Sequence, residues 1–552
     1  MLYIGVISKV ERPRLRENPQ FTDQYDVVIV GAGLSGMYQL IKLRELGLRT
    51  RVIEMGSDVG GTWYWNRYPG ARFDSESYSY GMSFSEELLE EWDWSEHFSA
   101  QPETLRYCQR IAEKFDLKRD IDFDTRVTGA CYDETQHIWQ VSTSENQLNC
   151  RFLVTAVGVF SEPTLPEIDG MDDFQGDSWH TARWPHRAVD FSNKRVAVIG
   201  TGATGVQVIQ EVAKTADSLT VFQRRPNYCL PLGNKPITEL EQVDIKSRYQ
   251  EIFERCASTT GGFLHAPDSR LALEVSDEER EATFEKLYNT PGFALWLGNF
   301  RDCGTDQAAN DMVSDFVRRK ISERINDPII ASKLIPTDHG FGTRRVPMDS
   351  GYYEVYNQDN VRLVDLIETP FRCVTAKGIE TTAEDFEFDI IIYATGFDAI
   401  VGSFRNMDIL GRDGVNLKDY WAEGPITYLG IQAPGFPNLL TLVGPHNAST
   451  FCNIPRCIEQ NVEWVSDLLA FMYKEGLETV EAASEAAASW VEHSEEMVSM
   501  TLIPTTDSWF MNVNQNLPEK KRTFLAYAGG APRYKQKCDE VAEAGYTGFI
   551  FS

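Results

Sequence analysis

No CxxC pair occurs in the chain, and its ten cysteines stand singly, with Cys452 and Cys457 the closest two. Zinc ribbons and thioredoxin-like redox centres need cysteines at that tight spacing, so neither is expected, and no metal site is foreseen. Scattered thiols suit a reducing cytoplasm, where they stay free. Positive charge is scarce too: 53 Lys and Arg stand against 82 Asp and Glu, for a net charge of −29. Nucleic acid and anionic membrane both demand basic surface, which argues against either as a partner. No apolar run approaches the roughly 20 residues that span a bilayer. The N-terminal stretch MLYIGVISKVERPRLRENPQ turns charged early and lacks a small-residue cleavage site, so it reads as an extension ahead of the first strand rather than a secretory signal.

What the chain does have is a strand, a glycine turn and a helix, twice. Asp26 to Val30 (DVVIV) is a short apolar run, followed by Gly31, Gly33 and Gly36 in GAGLSG and by a helical pattern that Gly47 stops. In such a turn the first glycine permits the tight bend, the second lets a backbone approach pyrophosphate, and the third lets helix and strand pack closely. The helix N-terminus favours the phosphate charge. The next strand, RVIE, ends in Glu54, where a carboxylate accepts hydrogen bonds from an adenosine ribose. The pattern returns in RVAVI followed by Gly200, Gly202 and Gly205 in GTGATG, but the strand after it ends in Gln223, Arg224 and Arg225. Arginine there suits a 2′-phosphate, which an acid would repel. Two dinucleotide units imply hydride passing between two bound cofactors, most simply from NADPH to FAD.

The fold class expected is α/β, with two Rossmann-like dinucleotide-binding domains, the NADPH domain nested within the FAD domain and carrying a helical insertion. The ranges are 1–158 for the first part of the FAD domain and 159–230 for the linker and first part of the NADPH domain. The insertion takes 231–332, the rest of the NADPH domain 333–388, and 389–552 returns to the FAD domain with a mobile C-terminal loop. The strand-to-glycine turns at Val157–Gly158 and Thr395–Gly396 mark the passages between domains.

Between the glycine motifs lies FQGDSWHTARWP, too irregular for a helix and too polar for a core strand. It carries Phe174, Gly176, His180, Trp184 and Pro185 at the fixed positions of F-x-G-x-x-x-H-x-x-x-W-P. The chain thereby resembles the type I Baeyer–Villiger monooxygenases, and the resemblance runs from about residue 24 to about residue 525. It includes GGTWYWNRYPGARFDSES (Gly60 to Ser77), FGTRRVPMDSGYYEVYN (Phe341 to Asn357) and YATGFD (Tyr393 to Asp398). Flavin-dependent N-oxygenating enzymes share single motifs, but their fingerprint lacks the Trp-Pro ending.

The resemblance implies that NADPH reduces FAD, that reduced flavin and dioxygen give a flavin peroxide, and that this attacks a ketone to yield an ester or lactone. Arg345 matches the family's catalytic arginine, and Asp74 the carboxylate that positions it. An anionic oxidant needs a fixed positive charge, and arginine does not lose its proton. Arg344 matches a basic residue at the 2′-phosphate, although adjacent Arg344 and Arg345 could exchange roles. Gly61, Thr62 and Trp63 resemble the segment along the flavin, and Trp509 a tryptophan of the C-terminal loop. Ser449, Thr450 and Phe451 fall in the loop lining the substrate pocket. Three positions depart from the family pattern: Arg225 for a small polar residue, Val159 for a glutamine of some relatives, and Glu519 for a common glycine. The fingerprint itself reads as an ordered linker between cofactor domains, with His180 bonding backbone rather than acting as a base.

Overall fold

A computed structural model describes residues 24–447, 452–518 and 521–552. The N-terminal extension, the pocket-loop residues Ser449, Thr450 and Phe451, and Glu519 lie outside the described residues. The first sheet is built on the strand Gln24–Val30, whose Val27, Val28 and Ile29 are wholly buried. Continuous apolar residues of this kind belong to a parallel strand covered on both faces. It pairs in parallel with Thr50–Ile53 on one side and with Gln147–Thr155 on the other. Gln147–Thr155 is long enough to pair with two strands along its far edge: antiparallel Ile138–Thr143 with its first half, parallel Leu439–Thr441 with its second. The chain thus comes back, almost three hundred residues later in number, to finish the sheet it began.

The helix Leu34–Glu45 follows the first glycine turn and ends as expected at Gly47, which takes a left-handed φ of +75°. Its outer side is covered by the long helix Ile454–Glu475, to which Gln39 donates a hydrogen bond at Ser466 (3.0 Å).

The second sheet has five parallel strands in the order Val361–Asp365, Ser218–Gln223, Arg195–Ile199, Ile390–Tyr393 and Asp177–His180. One expectation needs correction here. Ile390–Tyr393 pairs on both edges within this sheet, so the boundary drawn between residues 388 and 389 comes too early; the chain leaves the second domain after Tyr393. The fingerprint segment supplies the edge strand Asp177–His180, which tolerates its polar residues because Asp177 and Ser178 are exposed. Helices from Glu239–Ser247 to Pro328–Leu334 form the expected helical block between the second sheet's third and fourth strands in sequence.

The two passages between domains lie side by side. Thr164 donates its backbone N–H to Gly396 O at 2.9 Å, Asp398 donates to Glu162 O at 2.9 Å, and Pro163 bridges antiparallel to Phe397. Among the described residues no helix is long and apolar enough to cross a membrane.

Candidate active site

Both glycine turns are built alike. Gly31 and Gly200 have φ of +105° and +109°. A Cβ on Gly31 would stand 2.6 Å from Ala156 O, and one on Gly200 2.4 Å from Ala394 O. The third glycines bring the helix onto the turn: a Cβ on Gly36 would lie 1.9 Å from Gly31 O, and one on Gly205 2.2 Å from Gly200 O. No other residue fits these places. The middle glycines differ. Gly33 faces Gly61, whose Cα would be 3.5 Å from a Cβ there, whereas a Cβ on Gly202 would meet nothing within 4 Å. That space opens in front of a helix N-terminus, where an anion is favoured.

Glu54 is buried at the strand tip, its Oε2 accepting from Ala32 N and its Oε1 from Gly56 N, both at 2.7 Å. Burial pushes its carboxyl up, against those two backbone donors. The Trp65 side chain and the Met55 backbone also favour its charged form.

Between the sheets and the helical block lies a cavity of about 1330 Å³. It gathers Thr62, Trp63, Asp74, Gly200, Gly202, Arg224, Arg344, Arg345 and Trp509 from the expected set. Gly31, Gly33, Gly36, Glu54, Gly61, Gly205 and the fingerprint residues do not line it. Trp63 is fixed by donating Nε1 to Tyr80 OH at 3.0 Å and by edge contact with Phe73.

Of the two adjacent arginines, Arg345 reaches Asp74, with Nη2 2.9 Å from Oδ2. The guanidinium lies over the rings of Phe293 and Trp296, 4.8 and 5.3 Å from their centroids. Asn227 Nδ2 holds the Arg345 carbonyl at 2.8 Å. Burial pushes the Asp74 carboxyl up and the Arg345 guanidinium down, each opposed by the other's charge; an arginine so placed remains a cation. Asp74 Oδ1 is buried without a hydrogen-bond partner. The Met348 backbone and the Gln207 side chain also favour the Asp74 carboxylate.

A second cationic group lies at the tip of Ser218–Gln223. Arg344 Nη2 is 3.3 Å and Arg225 Nη1 3.7 Å from Asp338 Oδ2. Despite burial, His339 and Arg344 hold the Asp338 carboxyl down to about 2. Arg224 has no carboxylate partner among the described residues, and burial together with Arg225 and Arg344 lowers its guanidinium. A cation left unpaired beside the open space at Gly202 fits a phosphate.

The C-terminal segment closes one side. Arg344 Nε donates to Asp507 O at 3.1 Å, and Trp509 meets Phe160 edge-on at 4.9 Å. Asn514 and Asn516 donate to Phe397 O and Thr395 O, both at 2.9 Å, so this segment rests on the interdomain passage.

His180 Nδ1 accepts from Ala182 N at 3.0 Å, which leaves Nε2 as the donor to Gly396 O at 3.1 Å. Burial lowers its pKa to about 4. Both nitrogens are thus spent on backbone, one within the fingerprint segment and one on the passage at Gly396. A Cβ at Gly176 would strike the Phe174 ring at 2.5 Å, and Trp184 packs against Trp179.

The thiols differ from expectation at one place: Cys452 and Cys457 form a disulfide, and the other eight cysteines are free. The start of helix Ile454–Glu475 folds the chain back so that their Cα atoms lie 6.5 Å apart. Sequence reasoning also passed over Glu76 and His265, which pair at 2.8 Å beside the cavity. Glu76 stands in a quoted motif, two residues after Asp74, but nothing local marks His265.

The residues present fit two dinucleotides: two glycine turns that exclude a Cβ, a carboxylate at one strand tip, and an unpaired arginine at the other. Comparison with known proteins agrees. The family model described as "Pyridine nucleotide-disulphide oxidoreductase" matches residues 28–259, a span that holds both glycine turns. Residues 31–107 contain no cysteine, so the two-nucleotide fold is shared without the disulfide chemistry. The 2-oxo-Delta(3)-4,5,5-trimethylcyclopentenylacetyl-CoA monooxygenase of Pseudomonas putida is 46% identical over 95% of this chain and 98% of its own. A Baeyer-Villiger monooxygenase of Pseudooceanicola batsensis is 42% identical over 95% of this chain and 96% of its own. A crystal structure of OTEMO in complex with FAD and NADP superimposes with a TM-score of 0.93 at 46% identity, covering 96% of this chain and 99% of that one. The chain belongs to the Baeyer–Villiger monooxygenase family.

Proposed function

We propose that this chain binds FAD at the Gly31–Gly36 turn and NADPH at the Gly200–Gly205 turn, and uses dioxygen to convert a ketone into an ester or lactone. FAD supplies oxygen activation when bound, and NADPH supplies the hydride. The chain's own part is electrostatic and steric. Arg345 places a fixed positive charge in the cavity, where it stabilises negative charge developing on reacting oxygen. Asp74 orients that guanidinium, and Phe293 and Trp296 shield it from water. Arg224, with Arg344 and Arg225 beside it, takes the 2′-phosphate. Trp509 and the segment that holds it cover the cavity, and Ser449, Thr450 and Phe451 contribute to the ketone pocket. His180 holds the backbone of the second passage and moves no proton. The cytoplasm, where NADPH is supplied, is the compartment of action.

The observation that carries this reading is the Arg345–Asp74 pair facing the cavity. The test is a panel of cyclic and linear ketones, run with purified holoenzyme and NADPH and with products identified. Ester or lactone formed in step with NADPH consumption is the expected result. Oxidation of amines or sulfides alone would overturn it.

A further inference from the structure

Asp74 and Glu76 sit two residues apart on one segment, and each carboxylate holds a nitrogen donor from the other side of the cavity. Asp74 Oδ2 takes Arg345 at 2.9 Å, and Glu76 Oε1 takes His265 Nε2 at 2.8 Å. Both carboxylates are buried, and in both the second oxygen, Asp74 Oδ1 and Glu76 Oε2, lacks a hydrogen-bond partner. His265 comes from the helical block and lines the cavity with Phe263. Phe263 meets Phe293 edge-on at 5.1 Å, and Phe293 is a ring beneath Arg345. One apolar wall therefore carries a polar nitrogen group at each end, and both groups are aimed by carboxylates of the same segment.

A largely desolvated histidine–carboxylate pair is a poor device for stability, because desolvating the two groups costs about as much as their attraction returns. It is a good device for orienting a ring. With Nε2–H committed to Glu76, the remaining nitrogen, Nδ1, has no hydrogen-bond partner among the described residues. In the neutral ring Nδ1 accepts from a hydroxyl; in the protonated ring it donates to an oxygen. Resting on the proposed ketone oxygenation, we infer that His265, oriented by Glu76, is a specificity-determining residue. It binds an oxygen substituent of the ketone remote from the reacting carbonyl, so oxygen-substituted ketones are preferred over plain ones.

The test uses holoenzyme and three ketones of one carbon frame: unsubstituted, hydroxyl-bearing and carboxylate-bearing. Wild type is expected to favour at least one substituted ketone by about 10-fold in kcat/KM, the size of one hydrogen bond, with the difference carried in KM. Preference in the hydroxyl arm identifies Nδ1 as acceptor, and preference in the carboxylate arm identifies it as donor. His265→Phe is expected to lose the preference while His265→Gln retains part of it. His265→Ala carries the same expectation as the Phe variant, should that one fail to fold. No preference in wild type, or one that survives in His265→Phe and His265→Ala, overturns the inference. Failure of wild type to oxygenate the unsubstituted ketone would instead strike at the ketone oxygenation itself.

Discussion

Arg345 Nη2 and Asp74 Oδ2 are 2.9 Å apart, although 271 residues separate them in the chain. The pair joins the first domain to the segment that follows the helical block, so the cation stands in place only when both are assembled. Arg345→Ala is expected to lower ester formation at least about 100-fold, the usual cost of one preorganised electrostatic group. Reduction of bound FAD by NADPH, followed in stopped flow, should persist. Arg345→Lys should not restore the activity, since a lysine cannot present the same planar fork to Asp74. Normal product yield from either variant would remove Arg345 from the chemistry.

Arg224 stands without a carboxylate partner beside arginines that have one. Arg224→Ala should cut the preference for NADPH over NADH by about 10- to 100-fold, as expected for a charge-assisted hydrogen bond. The ratio of kcat/KM for the two nucleotides measures it. An unchanged ratio would assign the 2′-phosphate to Arg344 or Arg225.

Gly202 and Gly205 belong to one turn but serve it differently. A Cβ at Gly202 would touch nothing within 4 Å, whereas one at Gly205 would lie 2.2 Å from Gly200 O. Gly202→Ala should raise the KM for NADPH while the melting temperature of the FAD-loaded protein holds. Gly205→Ala should lower both NADPH affinity and melting temperature. Equal loss of stability in the two variants would contradict the assignment of Gly202 to ligand space.

His180 gives a pH signature. Its pKa of about 4 lies below the ordinary 6.5, so as pH falls the unfolded chain takes up the proton first. The stability at stake is fully present above pH 6.5 and is lost progressively as pH falls towards 4, by at most about 3 kcal/mol. His446, also buried and lowered to about 4, acts in the same sense. His180→Gln should therefore flatten the fall in melting temperature between those pH values. A slope equal to wild type would mean that His180 is protonated in the folded protein.

The glycine turns were legible because their constraint is local: a β-branched strand, a bend only glycine can make, and a helix follow one another within twenty residues. Arg224 was legible for the same reason, at the tip of the next strand. The strand Asp177–His180 was not, since its only pairing partner among the described residues is Ile390–Tyr393, brought to it by tertiary structure, and its own residues are too polar to announce an edge strand. The position of Ile390–Tyr393 between two strands of the second sheet likewise misled the domain boundary, because an apolar strand does not declare which sheet it enters. Arg345 and Asp74 were found by resemblance, not by any pattern within the chain. Glu76 and His265, and the Cys452–Cys457 bond, depend on how loops fold back, and carry no periodic or spacing signal.

The enclosure of the second domain by the first also fixes an order of synthesis. A ribosome delivers all five strands of the second sheet before Leu439–Thr441 and Ile454–Glu475 exist. The inner domain can close while the outer one still lacks two strands of its sheet, Asp408–Leu410 and Leu439–Thr441, and the helix that covers Leu34–Glu45. The first helix made is thus among the last to be covered, and its apolar face is the surface most open to aggregation while translation continues.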